Sequence, residues 1–310
     1  MTPAAFAARD AAAAIESFAG ETMGTNWSLQ AVSPPAATIH GVEAAFDLVV
    51  AQMSQWESGS DLSRFNRARP GAWHDVPGEF AHVVAAALEI ARASDGAFDP
   101  AMGRLTDAWG FGPSGPVDHI PANVDVAADR AIEYDAATQR LRRGEGGALD
   151  LSGIAKGYGV DLAAEWLRDI GVRHFLIEVG GELRGEGLRP DGQPWWVDVE
   201  MPPASSIPPW RIALHDLSVA TSGSYRRGFD VGGTRYSHSF DPRTGRPIVN
   251  GVTSVTVLHR QCMMADGWAT ALTVLGPQAA LALADAQGLA ACIVAGDREH
   301  ISRAWRAMLD

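Results

Sequence analysis

The sequence predicts an α+β protein, with mixed and antiparallel sheets carrying packed helices. Three observations point there. Stretches with strand-like alternation interleave with stretches of helical periodicity. Several neighbouring strands are close enough to pair as hairpins. Neither an internal repeat nor a low-complexity linker breaks the chain, so a second domain would arise from insertions, not from a separate C-terminal module. An all-parallel doubly wound sheet is disfavoured on the same grounds.

The elements follow in order. Residues 1–20 read as an N-terminal extension or a short Ala-rich helix, and 21–310 as one unit. Thr25 to Ser33 alternates like a strand. Gly41 to Ser58 and Phe80 to Ser94 carry apolar residues at helical spacing. A Gly- and Pro-punctuated loop with one helical turn follows at DGAFDPAMGRLTDAWGFGPSGP, and Ala127 to Glu145 suggests short strands around a turn. A helix over Ala155 to Ile170 ends at Gly171. Strands are expected in HFLIEVGGELRGEG, WWVDVEMPP, IPPWRIALHDLSVATSGS, RYSHSFDPRTGRP and VTSVTVLH. Met264 to Leu275 is helical, and ALADAQGLAACIVAG reads as helix then strand.

Composition narrows the function. The chain has 310 residues with 25 basic and 37 acidic side chains, a formal net charge of -12, which disfavours a general nucleic-acid or membrane-surface binder. No apolar run reaches the length of a membrane span. Cys262 and Cys292 match no metal spacing and read as small buried hydrophobes.

Several clusters carry chemistry. In MADGWATALTVLG, Asp266, Ala269 and Thr270 share one helical face, so a carboxylate and a hydroxyl there suit a hard cation such as Mg²⁺; equally, Asp266 is a reasonable helix N-cap. In YSHSFDPRTGRP, His238 suits a base or a phosphate contact and Arg243 a fork-like anion contact; the plain alternative is a turn capped by its Asp with the Arg in solvent. VATSGSYRRG offers Ser222, small residues whose N–H groups can cradle phosphate, and the basic pair Arg226 and Arg227. LSGIAKGYGVD places Gly153 and Lys156 at a helix start without the order of a P-loop; a tight turn with a surface lysine is the alternative. EVGGELR brings Glu178 and Glu182 around a double glycine, and Trp56 is either a ring-stacking wall or partly buried core. Jointly these suggest a flat, phosphate-rich ligand held with a hard metal, as a nucleotide would be.

The motifs MGTNWS, FDPAMGRLTDAWGFG, LSGIAKGYGVD, EVGGELR, VATSGSYRR, YSHSFDPRTGRP and ADGWATAL, in this order from about Gly20 onward, resemble the FAD:protein FMN transferase (ApbE-like) family. The resemblance implies one ApbE-like unit over 21–310 with two intertwined subdomains, and an active site between a larger and a smaller domain. It implies FAD as substrate, Mg²⁺ as cofactor, and transfer of FMN to a Thr or Ser hydroxyl of an acceptor flavoprotein, typically a membrane redox-complex subunit, with release of AMP. An FAD pyrophosphatase or a non-catalytic FAD-binding protein would share the site. By the same resemblance, Asp266 and Thr270 match side-chain metal ligands, and Gly153 and Ala269 supply carbonyls. His238 assists deprotonation of the acceptor. Met23, Trp56, Asp99, Lys156, Glu178, Glu182, Ser222, His238 and Arg243 contact the flavin nucleotide.

The chain departs from the family pattern at three positions. Trp56 stands where Tyr is frequent, Ala101 where FDPT has Thr, and Ser152 where Gly is frequent. The start shows neither a signal peptide nor a lipobox cysteine, which points to the cytoplasm, whereas the resemblance points to export.

Overall fold

The computed structural model describes residues 6, 9–117, 121, 131–202, 205–223, 228–231 and 234–309. Its centre is an eight-stranded antiparallel sheet. In chain order the strands are β1 (Ile15–Thr22), β2 (Thr25–Val32), β6 (Phe175–Val179), β7 (Glu182–Glu186), β10 (Leu217–Gly223), β15 (Val252–His259), β16 (Ala290–Ala295) and β17 (Arg298–Ile301), and they pair in that same order across the sheet. The fold is α+β, as the interleaving predicts.

The intervening strands form small sheets: β3 (His74–Asp75), β4 (Ile132–Asp135) and β5 (Arg140–Arg143) make one, and β8 (Trp195–Asp198) pairs with β9 (Arg211–Leu214). β11 (Gly228–Val231) pairs with β12 (Thr234–Ser237), and β13 (Phe240–Asp241) with β14 (Arg246–Pro247). The described helices are α1 (Thr38–Met53), α2 (Asp61–Arg67), α3 (Gly78–Ala93), α4 (Gly103–Ala108), α5 (Ala155–Asp169), α6 (Cys262–Leu275), α7 (Pro277–Gln287) and α8 (Arg303–Arg306).

Alternation along the strands builds a core on each face of the central sheet, because successive side chains point to opposite sides. Trp27, Leu29 and Ala31 of β2 sit opposite Val179, Ile177 and Phe175 of β6 and bury against Phe46 of α1 and Val160 and Leu167 of α5. Val255 and Val257 of β15 and Ile293 of β16 face Ala269 and Leu272 of α6. On the other face, Val219, Leu258 and Val294 are covered by Trp195 and Leu214 of the β8–β9 hairpin and by Trp305 of α8.

The N-terminal expectation needs correcting. Residues 15–20 are neither extension nor helix but most of β1, paired residue for residue with β2 from Ile15↔Val32 to Thr22↔Thr25. The alanine content suggests helix, yet the two-residue turn at Met23–Gly24 decides. Both residues have positive φ, 48° and 71°, the geometry that matches strand twist in a tight hairpin.

Candidate active site

The site grows from how α5 meets α6. Gly153, Gly157 and Asp161 recur every four residues and so share one side of α5 and its lead-in turn; Cys262, Asp266 and Thr270 do the same on α6. The two stripes meet in antiparallel order. The Thr270 hydroxyl approaches the Gly153 carbonyl at 3.4 Å, the Gly157 N–H donates to Asp266 Oδ2 at 3.1 Å, and the Cys262 N–H donates to Asp161 Oδ1 at 2.8 Å. Glycine at 157 is a steric necessity, since a Cβ there would lie 2.4 Å from the Cys262 carbonyl oxygen. At 153 a Cβ would lie 2.9 Å from Thr270 Oγ1.

This geometry settles the choice over Asp266 in part. The helix begins at Cys262, so Asp266 sits in its second turn and is not the N-cap. Its carboxylate is 3% exposed. Burial raises its pKa, and the Lys156 charge and the Gly157 N–H pull it partly back. The capping is done by Asp161, whose second oxygen accepts the Met263 N–H at 2.9 Å. Burial pushes the Asp161 carboxyl up to about 6 against the lowering pull of those two N–H groups and of Arg184.

Lys156, at the start of α5, is no free surface lysine: its Nζ lies 2.6 Å from Glu182 Oε1 at the start of β7. Burial alone would lower its pKa, but the Asp266 and Glu182 charges outweigh it, and the ammonium is held up to about 12. Ser222, near the end of β10, places its hydroxyl 3.1 Å from Thr270 Oγ1. Sheet register explains why these meet. Val219 lies opposite Leu183, so β10 runs on past the beginning of β7 toward the Gly180–Gly181 turn. That turn packs on Thr25, so the Met23–Gly24 hairpin end lies there too.

The remaining expected residues are placed as follows. Met23 is partly buried, and its methyl group packs over Gly159 of α5. Glu178 lies on β6 opposite Ser28 and Leu183. Trp56, 54% exposed, is not core. Asp99 accepts the Ala101 N–H at 2.8 Å in a turn leading to α4, and Ala101 itself is buried among apolar side chains. Ala269 is fully buried, and its carbonyl accepts the Thr273 hydroxyl at 2.8 Å. The Ser152 hydroxyl donates to Asp150 at 2.6 Å. The plain alternative describes Arg243: Asp241 caps the turn by accepting the Arg243 N–H at 2.9 Å and Arg243 is exposed, but its side chain is not open to a fork-like anion contact, because Asp241 takes both prongs at 2.8 Å each. Arg226 and Arg227 lie outside the described residues.

His238 stands on a separate support, its ring 6.3 Å from Phe111 in an aromatic cluster with Trp109, Tyr236 and Phe240. Helix α4 links that cluster to the turn before α5. Its Thr106 donates to Asp150 Oδ2 at 3.0 Å, and Trp109, just after it, donates to the Gly245 carbonyl at 3.2 Å.

Two asparagine side chains do much of the holding. Asn66 brackets the Leu149 backbone with bonds of 2.8 and 2.7 Å, and the Asn250 amide donates to the Thr273 and Val274 carbonyls at 2.9 and 3.0 Å, tying down the far end of α6. For Asp161, the four-residue spacing from Gly153 and Gly157 was the available signal.

The donor set fits Mg²⁺. Asp266 brings a buried carboxylate whose charge asks for a partner; Thr270, Ser222 and Gly153 bring neutral oxygens beside it. Among the described residues no group of three His, Cys, Asp or Glu could hold a metal. A hard cation that completes its shell with water and ligand phosphate suits such a one-carboxylate site, whereas zinc does not.

The fold and site together define a flavin-transferase scaffold. The chain superimposes on the apo crystal structure of the Pseudomonas stutzeri flavinyl transferase ApbE with a TM-score of 0.87 at 36% identity, covering 95% of this chain and 96% of that one. The Vibrio cholerae flavin transferase ApbE gives 0.86 at 34%, covering 95% and 99%. The chain belongs to the ApbE family, whose model matches residues 23–293. It is 36% identical to the FAD:protein FMN transferase of Vibrio cholerae over 94% of this chain and 91% of that protein. With the Salmonella typhimurium FAD:protein FMN transferase it shares 35% identity, over 90% and 84%.

Proposed function

We propose that this chain is an FAD:protein FMN transferase that moves FMN from FAD to a Thr or Ser hydroxyl of an acceptor flavoprotein and releases AMP, with Mg²⁺ as cofactor. The observation that carries this reading is the convergence of Asp266, Thr270, Ser222, the Gly153 carbonyl and Lys156 at one end of the central sheet, in a chain whose relatives bear that name.

The chemistry balances simply. The acceptor oxygen forms a bond to the phosphorus on the FMN side of the pyrophosphate, the bond from that phosphorus to the bridging oxygen breaks, and AMP departs with that oxygen. The acceptor proton goes to a base. Mg²⁺, when bound, would neutralise charge developing on the pyrophosphate oxygens. Asp266, Thr270 and the Gly153 carbonyl are the groups to hold it, with Ala269 offering a further carbonyl.

Lys156 keeps its ammonium charged at any physiological pH and so offers a fixed cation to phosphate. Ser222 adds a hydroxyl donor beside Thr270. His238 is the group assigned to receive the acceptor proton, since a neutral imidazole nitrogen can accept one. Met23, Trp56, Asp99, Glu178 and Glu182 fall to binding the isoalloxazine and adenosine parts. Arg243 needs its Asp241 pair opened before it can help. The acceptor class that suits the reaction is a membrane redox-complex subunit. Among the described residues no helix of this chain is long and apolar enough to cross a membrane.

The test is nucleotide analysis of FAD turnover with and without Mg²⁺. Wild type is expected to release AMP only with the cation. Asp266→Ala is expected to lose at least about a hundredfold in kcat, the scale of removing one electrostatic anchor from an active site. Undiminished turnover by that variant at limiting Mg²⁺ overturns the assignment.

A further inference from the structure

The α5–α6 contact has three rungs, and the proposed chemistry uses only two. Thr270–Gly153 and Asp266–Gly157 carry the metal-facing oxygens; Asp161–Cys262 lies at the far end. Asp161 is built in with care. Its two oxygens take two successive N–H groups of the first turn of α6, at 2.8 and 2.9 Å. The residue at the N-cap position, Gln261, supplies no side-chain cap of its own. The carboxylate also faces Arg184, whose Nη1 stands 3.6 Å away. Arg184 is itself pinned from the sheet by Glu186 at 2.5 Å, by the Ser218 hydroxyl at 3.2 Å and by the Arg260 carbonyl. Glu186 is held in turn by Arg168 of α5 at 2.8 Å.

A bidentate cap does more than satisfy donors. Two bonds to adjacent N–H groups fix both the rise and the rotation of a helix's first turn. On α6 that rotation decides whether Asp266, one turn on, meets Gly157, and whether Thr270, two turns on, meets Gly153. We infer that Asp161 is a positioning residue for the reaction: anchored by Arg184, it sets the register of α6 against α5 and so places Asp266 and Thr270 as a metal-binding pair. This rests on the Mg²⁺ reading above, and the experiment separates the two.

Asp161→Asn keeps the shape but removes the charge and one acceptor. Leu214→Ala, in the core on the opposite face of the sheet, is the control for general loss of stability. Two readouts are taken. One is amide hydrogen exchange of Gly157 and of residues 264–270, without metal or FAD. The other is the Mg²⁺ concentration for half-maximal turnover.

D161N is expected to exchange at these amides at least about tenfold faster than L214A, and to need about tenfold more Mg²⁺, as loss of an outer partner of a metal ligand typically does. Saturating Mg²⁺ then restores much of kcat. If exchange and midpoint both match L214A, Asp161 only stabilises the fold and the inference is overturned. Faster exchange with an unmoved midpoint overturns it too. If wild type turns over without any divalent cation, the metal reading fails by itself; exchange at Gly157 then decides whether Asp161 sets the register. Should D161N not fold, Asp161→Glu, which keeps both oxygens but displaces them by one methylene, is read in the same way.

Discussion

At the scale of single residues, the site depends on a few side chains whose surroundings differ sharply. Asp266 is buried and partly neutralised by Lys156, and Lys156 is shared with Glu182. Removing one member of such a buried set leaves the others uncompensated, so the loss exceeds that of a surface ion pair. His238 is different. Its ring packs beside Phe111, and the role proposed for it is to take the acceptor's proton, so its removal should slow transfer more than it weakens FAD binding. His238→Ala is expected to lower the transfer rate about a hundredfold or more, as a general base would, while the Kd for FAD moves little. Rapid-quench transfer rates beside equilibrium titration of FAD check this, and equal losses in both would mark a structural histidine.

At the scale of elements, the crossing of α5 over α6 is the part most sensitive to one atom. Gly157→Ala puts a Cβ 2.4 Å from backbone that cannot swing aside. It should cost about 3 kcal/mol, the upper end of overpacking penalties, measurable as a shift in the urea midpoint, and should weaken Mg²⁺ activation in parallel. A neutral result would mean the helices do not cross this closely. The β13–β14 turn offers a pH test. The Arg243 bond holds the Asp241 carboxyl below its ordinary value of 3.8. A depressed carboxyl pKa adds stability that is present above that ordinary value and lost as pH falls through the lowered one. Wild type should therefore lose stability more steeply than Asp241→Asn as pH falls below 3.8, as read by urea midpoints at successively lower pH.

The elements also show what a sequence can and cannot reveal. Helices α3 and α5 are legible because their apolar positions repeat at helical spacing over four turns, and β15 because it alternates. Strand β1 is hidden because the alanine-rich residues just before it speak for helix, and only its pairing with β2 makes it a strand. The Gly180–Gly181 turn is visible as a double glycine, but not the Met23–Gly24 hairpin end that shares its end of the sheet. Asp266, Thr270, Gly153 and Lys156 stand in recognisable motifs. The capping role of Asp161 is not legible, because its partners lie 101 and 102 residues away and exist only once two helices are packed. Arg243 misleads for the opposite reason: its partner is two residues off, and a local ion pair looks the same in sequence as a free anion contact.

At the scale of the molecule, one sheet ties the parts together. The hairpin turns and the end of β10 bring Met23, Glu182 and Ser222 to one end, and the helices on one face supply Lys156, Asp266 and Thr270 beside them. Helix α4 connects this end to the His238 cluster. On the function proposed above, this scaffold would hold a nucleotide by its phosphates while a second protein's hydroxyl serves as the acceptor. What distinguishes a transferase from an enzyme that gives the same phosphorus to water is the fate of the FMN. The most direct measurement is mass spectrometry of a candidate acceptor domain after incubation with this protein, FAD and Mg²⁺. The account predicts an acceptor heavier by one FMN less one water, with AMP formed in equal amount. Free FMN and AMP beside unmodified acceptors, across a panel of membrane redox subunits, would contradict it and make water the acceptor.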